Sequence, residues 1–168
     1  MLLAYVHPVH LPYGIVETGT GDNDAAADPR WEVVSEGDAS TMRKEVHVQA
    51  GTPDHPITIA PASGRVRVNF AGHVVADSDQ ALLLTEASYA PVFYLPPEHV
   101  DFTNLERTSH RTRCPYKGEA SYYSIHLAGR LAQNAVWCYE QPSEAVAAIA
   151  GYLAFYPDRV DSIEELPS

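Results

Sequence analysis

The strongest constraint on the fold is a β-hairpin that the sequence predicts in the C-terminal half of the chain. Residues 119–127 and 133–140 are typical of two neighbouring strands, and the segment Ala128-Gly129-Arg130-Leu131 joins them. Gly129 at the first central position suits a type II′ turn, which matches the natural twist of a hairpin. The two segments are therefore predicted to pair as antiparallel strands.

The hairpin also predicts which side chains share a face of the sheet. With Gly129 and Arg130 in the turn, four pairs face each other on one side: Tyr122 with Trp137, Ala120 with Tyr139, Ser124 with Ala135, and His126 with Gln133. The opposite side carries residues typical of a core: Tyr123, Ile125, Leu127, Ala132 and Val136. A turn at Ala128 and Gly129 would shift the partners by two residues and leave the two faces unchanged. One face is thus predicted to be apolar, and the other aromatic with polar groups.

Other segments of the chain support a mainly β fold. Arg65–Phe70 alternates strictly, so that Val66, Val68 and Phe70 share one face of a strand. Further strands are predicted from apolar runs and turn residues, at residues 73–76, 81–85, 91–95 and 152–156. The sequence therefore predicts compact antiparallel sheets.

The helical signals are short. Residues 98–107 predict one or two turns of helix, followed by a polar loop at residues 108–113. Residues 143–150 predict one short helix near the C-terminus, with Ser143 as its N-cap and Gly151 ending it.

The composition divides the chain into three parts. Residues 1–53 are predicted to form an irregular N-terminal extension. Within it, residues 17–30 are acidic, contain glycine and lack apolar periodicity, so we expect a mobile loop there. Residues 54–160 are predicted to form the compact domain, and residues 161–168 a mobile acidic tail.

The charge of the chain restricts its partners. It carries 22 acidic and 11 basic residues, a formal net charge of −11, and such a field repels phosphate backbones and anionic membranes. Nucleic acids and membranes are therefore not expected as partners, whereas a local basic cluster could bind a small anion. No apolar run approaches the roughly 20 residues of a membrane helix, and the N-terminus lacks the features of a secretory signal, so we expect a cytoplasmic location. A homodimer stays an open alternative.

The most informative polar segment is residues 109–123. In it, Cys114 lies among His110, Arg111 and Lys117. Cations beside a thiol favour the thiolate, which a nucleophile or a redox centre requires. Cys114 is therefore a candidate catalytic residue, with Lys117 or His110 stabilising the thiolate. In the alternative, Cys114 is a small buried residue and the basic side chains pair with the many carboxylates of the chain.

The aromatic face of the hairpin predicts a binding site beside this basic segment. Arg111, Tyr122, Trp137 and Tyr139 are candidate ligand-binding residues, since small-molecule sites combine flat apolar surfaces with a few polar groups that orient the ligand. The leading hypothesis is a domain that binds a small molecule or a peptide. A second hypothesis is a thiol-dependent enzyme. A third is a structural or protein-interaction domain whose Tyr and Trp side chains pack under the N-terminal sixty residues.

No metal ion or cofactor is expected from the sequence. Cys114 and Cys138 cannot supply a four-thiolate zinc site, and we expect both to be reduced thiols. His7 and His10 are three residues apart, but the prolines around them disfavour the regular helix that such a pair would need. The chain also lacks the glycine fingerprint of dinucleotide-binding folds, a phosphate-binding P-loop and the Gly-x-Ser-x-Gly elbow of serine hydrolases.

Three runs of the sequence carry a family resemblance: residues 114–123 (CPYKGEASYY), 135–139 (AVWCY) and 151–156 (GYLAFY). They resemble the domain of unknown function 427 family, and residues 65–78 and 94–100 are similar to its opening, so that the resemblance covers residues 54–160. It implies a compact β-fold similar to the β-tent of methionine-R-sulfoxide reductases and of the thalidomide-binding domain of cereblon.

The resemblance implies no activity. The family label has been linked with nucleotidyl transfer, but the sequence has no carboxylate-and-glycine pattern that would hold a nucleoside triphosphate and magnesium. It also lacks the paired Cys-x-x-Cys motifs that hold zinc in many β-tent proteins. A shared fold by itself does not assign a reaction.

Overall fold

The computed structural model describes residues 48–167. The predicted loop at residues 17–30 and the pair His7 and His10 lie outside the described residues. Within them, the chain forms eleven β-strands. These are β1 (Val48–Thr52), β2 (His55–Pro61), β3 (Arg65–Phe70), β4 (His73–Ser78), β5 (Leu82–Glu86), β6 (Val92–Tyr94), β7 (Leu105–Cys114), β8 (Gly118–Leu127), β9 (Arg130–Cys138), β10 (Leu153–Phe155) and β11 (Ser162–Leu166).

The described strands form three antiparallel sheets. The central sheet has the strand order β10-β9-β8-β7. The N-terminal sheet, of order β1-β2-β5-β6, packs on one face of the central sheet. The small sheet, of order β11-β3-β4, packs on the other face. The predicted mainly β fold of antiparallel sheets is thus confirmed.

The small sheet and the central sheet enclose an aliphatic core. Val66, Val68 and Phe70 of β3 are buried in it, together with Ile125 and Val136 of the central sheet. The shared face predicted for the three β3 residues is confirmed, because buried and solvent-facing side chains alternate along a strand.

The N-terminal sheet and the opposite face of the central sheet enclose a second core, which we call the aromatic core. Tyr122 of β8 and Tyr139, directly after β9, pack there with Tyr94 of β6. Ile57 of β2 and Leu84 of β5 complete the contact from the N-terminal sheet. The aromatic face predicted from the hairpin is therefore a packed face, covered by strands from the earlier part of the domain.

The register of the hairpin confirms the predicted pairing of Tyr122 with Trp137. The turn itself lies one residue earlier than in the preferred prediction. Leu127 pairs with Arg130, and Gly129 and the residue before it have φ angles of 74° and 50°. Positive φ at both central positions is the geometry of a type I′ turn, not of a type II′ turn.

A bulge reconciles this turn with the predicted pairing farther along the hairpin. Next to the turn, His126 faces Leu131 instead of Gln133. The bulge lies at Asn134, whose φ is 49°, and Ser124 Oγ accepts a hydrogen bond from its backbone N–H at 3.0 Å. A bulge adds unpaired residues to one strand and therefore shifts the register of the pairs beyond it. Here that shift cancels the displacement caused by the earlier turn, so Tyr122 still faces Trp137.

The prediction for residues 98–113 was wrong in part. Single turns of 3-10 helix occur at Pro97–His99 and Phe102–Asn104, but Leu105–Cys114 is the edge strand β7, not helix and polar loop. β7 pairs with β8 on one side, and most of its side chains are exposed. It therefore lacks the apolar alternation by which a buried strand is recognised.

The short helix near the C-terminus is confirmed as 3-10 helix at Glu144–Ile149, kinked at Val146. Ser143 precedes it, but the Ser143 hydroxyl donates to the carbonyl of Tyr116 at 2.5 Å and does not cap the helix. Gly151 follows the helix with a φ of 75°, a backbone angle that glycine adopts without strain. No helix among residues 48–167 is long and apolar enough to cross a membrane.

Both ends of the described chain add strands to the sheets. Ser162–Leu166 was expected to belong to a mobile acidic tail, but it forms β11 and pairs with β3. Its backbone ladder and the contact of Ile163 with the aliphatic core hold it in place, while Glu164 and Glu165 stay exposed. At the other end, Val48–Thr52 falls in the predicted extension but forms β1 and pairs with β2.

Candidate functional site

The residues predicted to form one site lie in three different surroundings. Four of them are buried in or beside the aromatic core: Cys114, Lys117, Tyr122 and Tyr139. Trp137 is half-buried next to them, and His110 is exposed with its ring centroid 4.4 Å from that of Tyr122. Arg111 is exposed and lies on the opposite face of the central sheet, since it is the cross-strand partner of Ser121.

Lys117 forms a buried ion pair with Glu86 of β5. The two residues are only 5% and 6% exposed, and the ammonium group contacts Glu86 Oε2 directly. A charge inside a protein is tolerated when it is paired and hydrogen-bonded. Lys117 therefore acts in this structure as an internal link between the central sheet and the N-terminal sheet, and its charge does not face solvent.

His55 of β2 extends this ion pair into a three-residue network. Its Nε2 lies 2.9 Å from Glu86 Oε1. The imidazole stacks on the ring of Tyr116, with the centroids 4.2 Å apart and the planes 5° from parallel, and the ring of Tyr89 lies 6.1 Å away. The carboxylate of Glu86 thus binds a lysine from one sheet and a histidine from another.

The sequence analysis did not identify Glu86, His55, Tyr89 or Tyr116 as members of one cluster. One signal for Glu86 was present: it occupies an inward position of β5, in line with Leu82 and Leu84. An acidic residue at an inward position of a strand requires a buried partner. The identity of that partner, 31 residues away, is not encoded in any local pattern.

Cys114 is buried, and the ammonium group of Lys117 is paired with a carboxylate. The thiol Sγ accepts a hydrogen bond from the backbone N–H of Lys117 at 3.4 Å, whereas the Lys117 ammonium contacts Glu86. Arg111 and His110 are exposed. The contact of Cys114 Sγ with Lys117 is thus made by the backbone, and the charge of Lys117 is balanced by Glu86.

Cys138 is a second free thiol and is also buried. Burial raises the pKa of Cys138 to about 11, and the negative charge of Glu140 adds to the effect. At neutral pH this sulfur stays protonated.

The buried phenols serve as neutral hydrogen-bonding groups. Burial raises the pKa of Tyr94 and of Tyr139, so both stay protonated. Trp137 Nε1 donates to the hydroxyl of Tyr94 at 3.3 Å, and the hydroxyls of Tyr122 and Thr112 are hydrogen-bonded at 2.7 Å. Trp137 and Tyr122 of the hairpin thus satisfy their polar atoms within the domain.

An open cleft lies on the other face of the central sheet. Six polar residues line a cleft of about 380 Å³, which we call the arginine cleft: Arg107 and Arg111 of β7, Glu119 and Ser121 of β8, and Glu140 and Gln141 after β9. Ser121 pairs with Cys138, which belongs to the aliphatic core. The cleft and the aliphatic core therefore occupy neighbouring parts of one sheet face.

Glu140, Ser121 and Arg107 form a hydrogen-bonded group in the arginine cleft. Glu140 Oε1 accepts a hydrogen bond from Ser121 Oγ at 2.8 Å and lies 2.7 Å from Arg107 Nη2. The Ser121 hydrogen bond, together with the charge of Arg107, holds the pKa of Glu140 below its ordinary value. Glu140 is therefore ionised at neutral pH, and it balances the charge of Arg107.

The second arginine of the cleft, Arg111, has a different arrangement. Arg111 Nη1 donates to the backbone carbonyls of Thr108 and His110 at 3.0 and 2.7 Å, which fixes the plane of the guanidinium. Arg111 Nε lies 3.9 Å from Glu119 Oε1, too far for a hydrogen bond. Arg111 lines the cleft, and Nε and Nη2 are its donors that make no hydrogen bond among the described residues.

The family model described as a domain of unknown function, number 427, matches residues 58–166. The chain belongs to this family. The match covers more than half of the chain and confirms the resemblance seen in the three sequence runs. It includes β11, so the domain extends past the predicted limit at residue 160, and it begins three residues after His55.

Membership of the domain of unknown function 427 family assigns no activity. A search of curated proteins finds no match to the chain. Within residues 48–167, no three His, Cys, Asp or Glu side chains lie close enough together to hold a metal ion. The function must therefore be argued from the site.

Proposed function

We propose that this domain binds a small molecule or a peptide end through an acidic group, a carboxylate or a phosphate, in the arginine cleft. The observation that carries the proposal is a guanidinium, that of Arg111, whose plane is fixed by two backbone carbonyls inside an open cleft of about 380 Å³. Guanidinium groups bind carboxylates and phosphates through two parallel N–H donors.

The position of the cleft favours it over the aromatic face. A ligand must enter open space, and Tyr122 and Tyr139 are packed against the N-terminal sheet. Lys117 is occupied by Glu86. Arg111, one of the residues predicted to bind a ligand, lines this cleft, and in this proposal the aromatic core supports the sheet that presents it.

The size and lining of the cleft fit a small ligand. Ligand pockets measure about 300–1,000 Å³, so this one lies near the lower limit. Ser121 and Gln141 supply neutral hydrogen-bonding groups. Tyr123, the cross-strand partner of Arg107, lies on the same face and packs its ring against that of Phe102, so apolar surface lies beside the polar lining.

The proposal can be tested by nuclear magnetic resonance, with a set of small carboxylates and phosphate esters added one at a time to the full chain. We expect backbone amide shifts confined to β7, β8 and the residues after β9. Arg111→Gln should weaken binding about tenfold to a hundredfold, since it removes charge-assisted hydrogen bonds.

Arg130→Gln is the control, because Arg130 is an exposed arginine of the same sheet that pairs with Asp161 and does not line the cleft. It should bind nearly as well as the unchanged protein. Equal weakening by both substitutions would mean that only net charge matters. The absence of any amide shift at millimolar concentrations would refute the proposal.

A further inference from the structure

The geometry points to the class of ligand: we infer that the arginine cleft takes a zwitterion whose ammonium and carboxylate are bonded to the same carbon atom, a free α-amino acid. This inference rests on the proposed function and narrows it. Its basis is the unequal pairing of the four charged side chains that line the cleft.

Arg111 and Glu119 are only loosely paired. Their closest atoms, Nε and Oε1, are 3.9 Å apart, so they attract each other without a hydrogen bond. Glu119 is the more exposed of the two, with 67% of its side chain accessible. A ligand can therefore replace one loose contact by two close ones, its carboxylate on the Nε–Nη2 edge of Arg111 and its ammonium on the carboxylate of Glu119.

A ligand that has only an acidic group would be repelled by the carboxylates of the cleft. Its carboxylate on Arg111 would lie within a few ångströms of Glu119, at a distance where like charges repel each other. Glu140 holds a second negative charge in the same cleft, because Ser121 and Arg107 keep it ionised. An ammonium group next to the carboxylate of the ligand removes this repulsion.

A ligand that has only an ammonium group would be repelled by the guanidinium groups of the cleft. It would lie near Glu119 and Glu140, but also near the fixed guanidinium of Arg111 and that of Arg107. The lining thus holds two positive and two negative side chains. A cleft balanced in this way favours a ligand that carries one charge of each sign.

The test uses the full chain and the twenty L-amino acids as probes in the same amide-shift experiment. The tightest-binding amino acid is then compared with two analogues of the same side chain, one lacking the ammonium and the other lacking the carboxylate. For L-leucine these are 4-methylpentanoate and 3-methylbutylamine. We expect the amino acid to bind about tenfold more tightly than either analogue, because one charge-assisted hydrogen bond separates them.

Two substitutions localise the preference. Glu119→Gln should abolish the advantage of the amino acid over its des-amino analogue and leave the affinity for that analogue equal or higher. Glu106→Gln is the control: Glu106 is an exposed acid of the same sheet, paired with His126 and outside the cleft, and its replacement should leave the preference intact.

The outcomes separate this inference from the proposed function. Equal binding of the amino acid and its des-amino analogue at the cleft would overturn the zwitterion and leave the carboxylate site standing. A preference that survives Glu119→Gln would also overturn it. If no amino acid shifts the cleft amides while simple carboxylates or phosphates do, only the inference fails; if none of these probes does, both fail.

Discussion

The two faces of the central sheet are packed in different ways. The aliphatic core joins Val66, Val68 and Phe70 to Ile125 and needs no hydrogen bond between side chains. The aromatic core contains phenols that donate and accept hydrogen bonds, and it borders the ion pair of Lys117. The first core depends on volume and alternation, whereas the second depends on specific partners from distant parts of the chain.

The two cores should tolerate substitution to different degrees. A volume-filling core tolerates exchange of one apolar residue for another of similar size. A core with buried polar groups tolerates little, because a lost partner leaves a desolvated group behind. Substitutions in the two cores should therefore differ in how much they lower the free energy of unfolding. They should also differ in whether the effects of two substitutions add.

The largest effect is expected at Lys117. Lys117→Met leaves the carboxylate of Glu86 buried without its ammonium partner, and breaking a buried ion pair costs about 3–5 kcal/mol. Chemical denaturation followed by tryptophan fluorescence measures the loss. The double substitution Lys117→Met with Glu86→Leu should recover part of it, since both charges are then absent but the contact of His55 with Glu86 is lost as well. An unchanged unfolding midpoint for Lys117→Met would show that the pair contributes no stability.

A comparable but simpler effect is expected in the aliphatic core. Ile125→Ala removes buried methyl groups and leaves a cavity, which costs about 2–5 kcal/mol. Leu131→Ala on the neighbouring strand is the control, because Leu131 is 60% exposed and its truncation should cost less than about 0.5 kcal/mol. If the two variants unfold at the same denaturant concentration, the aliphatic core is not placed as described.

A smaller effect with a defined pH dependence is expected at Ser121. Ser121→Ala removes the hydrogen bond to Glu140 and should lower stability at pH 7 by about 0.5–1 kcal/mol, a low value because Glu140 is about half exposed. The hydrogen bond lowers the pKa of Glu140 in the folded state. Its contribution is therefore present above the ordinary value of 4.5 and is lost as the pH falls through the lowered pKa.

Denaturation of both proteins across this pH range checks the prediction. The difference between them should shrink toward zero in acid. A difference that is as large in acid as at pH 7 would assign the effect to packing and not to the charge of Glu140.

The smallest difference is expected between the rates at which the two thiols react with a thiol reagent. Cys114 and Cys138 are each 4% exposed, one beside each core, and a buried thiol reacts slowly with a thiol reagent. Both should react slowly and at similar rates in the native protein, and rapidly once denaturant is added. Rapid native-state labelling of Cys114 alone would support it as a candidate nucleophile.

Much of the fold could be predicted because strand patterns are local. The alternation of Arg65–Phe70 identified the buried face of β3, and the hairpin assigned Tyr122 and Trp137 to one side. β7 and β11 were missed because edge strands with exposed polar side chains carry no apolar alternation. Pairing of their backbones with β8 and β3 makes them strands.

Less of the candidate site could be predicted. Arg111 was identified from its basic surroundings, but it was grouped with Tyr122 and Tyr139, which lie on the opposite face of the sheet. Glu140 and Ser121 were not identified as site residues, since a serine and an exposed acid are unremarkable in sequence. They become part of a cleft only because β8 and the end of β9 lie side by side.

The sequence by itself determined the mainly β fold, the pairing of Tyr122 with Trp137, and the family to which the chain belongs. These properties depend on side-chain alternation and on contiguous motifs, which are visible over about ten residues. Only the tertiary structure decided that Lys117 is an internal ion-pair partner of Glu86 and that the open polar surface is the arginine cleft. The physical reason is that alternation assigns a side chain to one of two faces, whereas the covering of a face depends on contacts between strands far apart in sequence.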